Sequence, residues 1–152
     1  MAEPNPEELF DLGMLSYDKQ DFSKARKYFE KACDLKYGGG CGALGDLYDG
    51  VEKNLIKAAQ FYSKACELKE GVGCKDLGAL YYNGKGVEKD LIKAAHFYSK
   101  ACELKEGMGC GALGGLYYNG DGVKRDSKKA DQYISKACKL GSQEACEALK
   151  EK

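Results

Sequence analysis

The sequence has no net charge, almost no histidine and no long apolar run, and each shortage removes a class of function. Lysine plus arginine number 24 and aspartate plus glutamate number 24, scattered in short alternating runs. No basic stripe that could follow a phosphate backbone can be drawn, so nucleic acid is not an expected partner. No apolar run approaches the roughly 20 residues that span a bilayer. The first residues also lack the basic-then-apolar pattern of a secretory signal. No membrane span is expected, and the chain reads as soluble. A start of Met1, Ala2 and Glu3 directly before a helix start suits a mature secreted chain carrying an initiator Met. The lone histidine, His96, has no second imidazole with which to share a metal, so neither metal nor cofactor is expected. With 152 residues and 43% hydrophobic content, one domain with a substantial core is expected over 1–152.

Internal repetition decides the architecture. Asn54 to Gly71 reads NLIKAAQFYSKACELKEG, and Asp90 to Gly107 reads DLIKAAHFYSKACELKEG. The two lie 36 residues apart and differ at two positions. Weaker copies flank them, FSKARKYFEKACDLK from Phe22 and SKKADQYISKACKLG from Ser127. A second segment recurs between them: CKDLGALYYNGKG from Cys74, CGALGGLYYNGDG from Cys110 and a trimmed CGALGDLYDG from Cys41. The unit therefore has two parts and occurs four times, over residues 6–38, 39–71, 72–107 and 108–141, with a capping helix over 142–152.

Both parts read as helices, and nine are expected. In the longer part Leu91, Ala94, Ala95, Tyr98, Cys102 and Leu104 fall on one stripe at three- and four-residue spacing. Asn54 and Asp90 stand where an N-cap offers a side-chain oxygen to the first free amides, and Gly71 and Gly107 stand where a helix ends. In the shorter part Leu77, Gly78, Leu80 and Tyr81 carry the stripe, and Asn83-Gly84 or Asn119-Gly120 supplies a left-handed stop. Gly78 and Gly114 let a neighbouring helix approach. Asn5, Pro6 and Glu7-Glu8 start a first helix running to about Lys19. Tyr81, Tyr98, Tyr117, Phe61 and Phe97 are expected in the core. One hairpin cannot bury its apolar face alone, so stacked neighbours share an elongated core.

The eight cysteines repeat with the helices, at 33 and 41, 66 and 74, 102 and 110, 138 and 146. Each pair spans a glycine-containing turn between antiparallel helices, where a Cα separation of about 5–6 Å is within reach. Eight cysteines allow 105 connectivities, but the repeat offers one local solution four times. Pairing is therefore expected as Cys33 with Cys41, Cys66 with Cys74, Cys102 with Cys110 and Cys138 with Cys146. Such staples imply an oxidising compartment, hence secretion or a periplasmic place. The alternatives are buried free thiols in a cytosolic protein, or zinc, for which each turn supplies only two ligands.

The pattern LGxLYYNGxGVxKD at Leu77 to Asp90, then KAAxFYSKAC at Lys93 to Cys102, then GxGC at Gly107 to Cys110, resembles the SEL-one-like repeat, a relative of the tetratricopeptide repeat. With a cysteine pair at each turn, the chain from Glu7 to Lys150 is similar to the Helicobacter cysteine-rich protein family. That resemblance implies an all-α, right-handed superhelix (α-solenoid) of stacked disulfide-linked helix hairpins. It also implies a disputed role as a penicillin-binding protein or weak β-lactamase, with a β-lactam or peptidoglycan-like ligand. The near-identity of the middle repeats alternatively suits an engineered or consensus-like scaffold with no ligand.

The residues themselves supply no catalytic constellation. Ser16-Tyr17-Asp18-Lys19 is the one Ser-x-x-Lys match, and its companions Ser-Asp-Asn and Lys-Thr-Gly are absent. Any hydrolase reading rests on the resemblance alone. For binding, the tetratricopeptide pattern places the shorter helices on a concave face. It points Lys75, Ala79, Tyr82 and Asn83, with Gly111, Gly115, Tyr118 and Asn119, toward a groove. Tyrosine and asparagine there suit an extended peptide, against the blander reading that the tyrosines pack between repeats and the asparagines cap helices. The expected protein is a monomer that recognises a protein or peptide.

Overall fold

A computed structural model describes residues 4–151; the predicted start over Met1 to Glu3 lies outside the described residues. The described residues form nine helices and no strand. They divide into two compact units, Met1–Glu70 and Gly71–Lys152. The first holds α1 (Pro6–Asp18), α2 (Phe22–Asp34), α3 (Gly38–Gly50) and α4 (Leu55–Glu67). The second holds α5 (Gly71–Asn83), α6 (Leu91–Glu103), α7 (Gly107–Asn119), α8 (Ser127–Lys139) and α9 (Gln143–Lys150).

Helix starts follow local chemistry. Asn5, Asp21, Asn54, Asp90, Asp126 and Ser142 each accept a bond from the backbone N–H three residues on, at 2.9–3.3 Å. Helix ends correct two expectations. Gly71 and Gly107 do not end a helix; each opens one. The left-handed residue is instead a lysine, Lys69 (φ 70°) or Lys105 (φ 66°). Around it run two bonds, Lys69 N–H to Cys66 O and Glu70 N–H to Ala65 O, repeated as Lys105 to Cys102 and Glu106 to Ala101. This is a Schellman turn with lysine where glycine is usual. The glycines serve close approach: a Cβ on Gly71 would lie 3.2 Å from the Cβ atoms of both Leu104 and Glu106. Because α5 and α7 begin three residues before their cysteines, these predicted shorter helices are as long as α6, 13 residues each.

One packing rule recurs in each hairpin. Its second helix buries Ala25, Phe29 and Ala32; Ala58, Tyr62 and Ala65; Ala94, Tyr98 and Ala101; or Ala130, Ile134 and Ala137. The alanines bring backbones together and the large side chain fills the space between them. A glycine on the first helix receives that side chain. A Cβ on Gly13 would lie 2.5 Å from the Phe29 ring, on Gly45 2.6 Å from Tyr62, on Gly78 3.0 Å from Tyr98 and on Gly114 2.7 Å from Ile134 Cγ1. Of the five aromatics expected in the core, only Tyr98 is buried. Phe61, Tyr81, Phe97 and Tyr117 are half-buried. They form parallel pairs along the hairpin flank, Tyr48 on Phe61, Tyr81 on Phe97 and Tyr117 on Tyr133, with centroids 5.5–5.6 Å apart. A lysine ammonium, Lys57, Lys93 or Lys129, lies 5.3 Å from the centroid of the tyrosine in each.

Disulfides join Cys33 to Cys41, Cys102 to Cys110 and Cys138 to Cys146, with Cα atoms 4.5–4.6 Å apart. Cys66 and Cys74 are disulfide-bonded as well. In these three bridges the first cysteine sits at the Schellman turn and the second in the next helix's first turn, so the covalent link and the left-handed residue share one corner.

Candidate functional site: the open face of α5 and α7

The predicted groove residues all belong to the second unit. Lys75, Ala79, Tyr82 and Asn83 are on α5, and Gly111, Gly115, Tyr118 and Asn119 on α7. Spacings of 75, 79, 82 and 111, 115, 118 keep each set on one side of its helix. The Lys75 ammonium lies 3.5 Å from Asp76 Oδ1 and 4.0 Å from Met108 Sδ, which links the two helices across this face. Gly111 and Gly115 leave the surface bare. A Cβ on Gly115 would meet nothing within 4 Å, and one on Gly111 only the Ala137 methyl at 3.8 Å.

Two polar tips are already engaged. The Asn83 amide donates to the Ala79 carbonyl at 2.9 Å, closing the last turn of its own helix. The Tyr118 hydroxyl donates to Asp131 Oδ1 on α8. Tyr82 and Asn119 are exposed. The Tyr98 phenol is held above its ordinary 10.0 by burial, with Tyr82 and Asp76 adding to the rise.

Two residues of this face escaped the sequence reading. Val72 (46% exposed) and Met108 (62% exposed) lie one turn before Lys75 and Gly111 on the same stripes. Their signal was present, since the residues three before Lys75 and Gly111 are apolar. Starting the helices at the cysteines hid it. Beside Met108 a recess of about 340 Å³ opens, lined by Gly111, Ala112, Ile134, Glu144, Ala145 and neighbouring residues of α7 to α9. Ser142 also lines this recess, and its hydroxyl oxygen accepts from the Ala145 N–H at 3.3 Å.

The remaining candidates are placed apart from one another. Ser16 is buried in α1 and its hydroxyl donates to the Leu12 carbonyl at 2.9 Å, the back-bond of a helical serine. His96 is exposed on α6, edge-on to the neighbouring Phe97 ring. Among the described residues no group of three or more His, Cys, Asp or Glu could hold a metal ion. No described helix is long and apolar enough to cross a membrane.

The repeat geometry has known counterparts. The Sel1 repeat profile matches residues 40–70, 72–106 and 108–142, and the tetratricopeptide repeat profile residues 6–37. The solved cysteine rich protein B of Helicobacter pylori is 46% identical, with a TM-score of 0.69 over 86% of this chain and 96% of that one. A protective antigen of uropathogenic Escherichia coli with an SLR fold is 27% identical, with a TM-score of 0.88 over 95% of this chain and 32% of that one. HcpC of Helicobacter pylori strain J99, provisionally named a β-lactamase, is 62% identical over 58 residues, 36% of this chain. That match spans about a fifth (20%) of the curated relative's length. The chain belongs to the Sel1 repeat family and, within it, to the Helicobacter cysteine-rich proteins.

Proposed function

We propose that the chain is a secreted or periplasmic module that binds a protein or peptide on the open face of α5 and α7, as part of one array of four repeats over 6–38, 39–71, 72–107 and 108–141. The observation that carries this reading is the exposed row of Val72, Tyr82 and Met108 beside the bare floor at Gly111 and Gly115. Exposed apolar side chains gathered on one face mark an interaction surface more often than a solvated one. The bridges and the family relationship are consistent with a place outside the cytoplasm.

The test is amide shift mapping with a peptide selected from a displayed library on the oxidised protein. Shifts are expected at Val72, Tyr82, Met108 and Gly115, and Gly115→Arg should weaken binding at least about tenfold by filling the floor. Shifts confined to the outward sides of α6 and α8 would overturn the assignment. The rival, acylation by β-lactams, comes from relatives' names. With the Ser16 hydroxyl buried on its own helix, incubation with a penicillin is expected to leave the intact mass unchanged. A stoichiometric adduct would reverse the preference.

A further inference from the structure

We propose that the turn joining α7 to α8 is a second binding site, one that takes carboxylate-rich peptide segments. The chain has no net charge, yet Val123 to Lys139 carries six lysine or arginine residues against two aspartates. Lys124, Arg125, Lys128 and Lys129 are all exposed at the turn and the start of α8. Among the described residues, none of the four takes part in a salt bridge. Lys124, Arg125 and Lys129, with Tyr117, Val123 and Asp126, line a recess of about 420 Å³. Asp126 is the one acid on that lining, and its Oδ1 is occupied as the N-cap of α8, accepting from Lys129 N–H at 3.0 Å. The Lys129 ammonium is held 5.3 Å from the centroid of Tyr117, itself stacked on Tyr133. The site is thus a cationic recess with one arm already positioned.

The neighbouring repeat shows that the fold does not need these charges. At the α5–α6 turn the frame is the same: Asp90 caps α6, Lys93 faces Tyr81 at 5.3 Å, and Tyr81 stacks on Phe97. There, however, Glu88-Lys89 replaces Lys124-Arg125 and Ile92 replaces Lys128, while Lys85 stands where the fourth repeat has Asp121. The second repeat likewise reads Glu52-Lys53. The four cations gathered at Lys124, Arg125, Lys128 and Lys129 repel one another, a cost that a bound anion offsets. Arginine matches a carboxylate in bidentate fashion. Exposed, separated cations around an open recess suit several carboxylates on one strand better than a single enclosed anion. The patch is confined to one turn, too short for a run of phosphates.

This site is separate from the open face of α5 and α7, so either reading can fail alone. The probe is hexaglutamate peptide, titrated into the isotope-labelled, oxidised protein at low salt. Amide shifts are expected at 123–129, fading as ionic strength rises from about 0.05 to 0.5 M. K124E/R125K writes the third repeat's pair into the fourth and should weaken binding by about tenfold or more with an unchanged melting temperature. E88K/K89R should add a second responding turn at 87–93. Unchanged affinity in K124E/R125K, or equal binding of hexaglutamine, would overturn the proposal. An oligothymidylate that bound the same amides at least as tightly would overturn it in favour of a nucleic-acid site.

Discussion

Replacing Cys102 and Cys110 together by alanine removes one staple and tests whether the bridges carry the fold. The bridge closes a loop of sequence separation 8. For so short a loop, chain entropy assigns about 2.6 kcal/mol at 25 °C. Cys102 and Cys110 are 1% and 0% exposed, so each vacated sulfur position adds a packing loss. Together these come to roughly 3–4 kcal/mol. In a chain of this size that lowers the melting temperature by about 10 °C. Scanning calorimetry under non-reducing conditions measures it. The control is Cys138→Ala with Cys146→Ala, a bridge of the same span whose cysteines are half-exposed. It should lose little beyond the loop contribution, and its bridge should be the first that dithiothreitol reduces. A loss under about 3 °C for the Cys102/Cys110 variant would refute the reasoning. Four such loop contributions sum to about 10 kcal/mol, comparable with the whole stability of a typical domain. Full reduction is therefore expected to unfold the protein.

Adjacent glycines on α7 should respond with opposite signs. Gly114→Ala sets a Cβ 2.7 Å from Ile134 Cγ1 and 3.1 Å from the Ala130 carbonyl, and should cost about 1–3 kcal/mol. Gly115→Ala meets nothing within 4 Å and should gain about 0.5–1 kcal/mol from helix propensity. Urea unfolding of the two variants decides, and changes of the same sign would contradict the packing account. Alkaline stability should depend on Tyr98, whose phenol burial raises above 10.0. Its contribution is complete below pH about 10, where the unfolded chain's tyrosine is still protonated. As pH climbs through that value toward the higher folded one, the unfolded state sheds a proton the folded state keeps, and stability falls. Tyr98→Phe should flatten this decline between pH 9 and 11; identical slopes would remove Tyr98 as its source.

Much of the fold was legible because its signals are local or repeated. Asn54 and Asp90 cap their helices with their own side chains, so three residues of sequence contain the whole interaction. The eight-residue cysteine spacing carries the same turn four times. The candidate face was legible in part. Register placed Tyr82 and Gly115 on an open side, but nothing in the sequence announced that Tyr118 would donate to Asp131 or that Asn83 would turn back on Ala79. Both bonds depend on which rotamer meets which neighbour after the helices have packed.

The sequence alone therefore determined the repeat, the helical periodicity, the caps and the spacing of the staples, because each rests on contacts within a few residues or on repetition. Tertiary structure decided which glycines end helices and which admit a neighbour. Gly71 opens α5 because Leu104 and Glu106 crowd its Cβ position, while Lys69 accepts the left-handed corner. It also left Phe61, Tyr81, Phe97 and Tyr117 only half-buried, since the space between paired helices was already filled by alanine, glycine and one large side chain per repeat. Periodicity shows which side of a helix is apolar, but only packing against a partner of given volume decides how much of that side is buried.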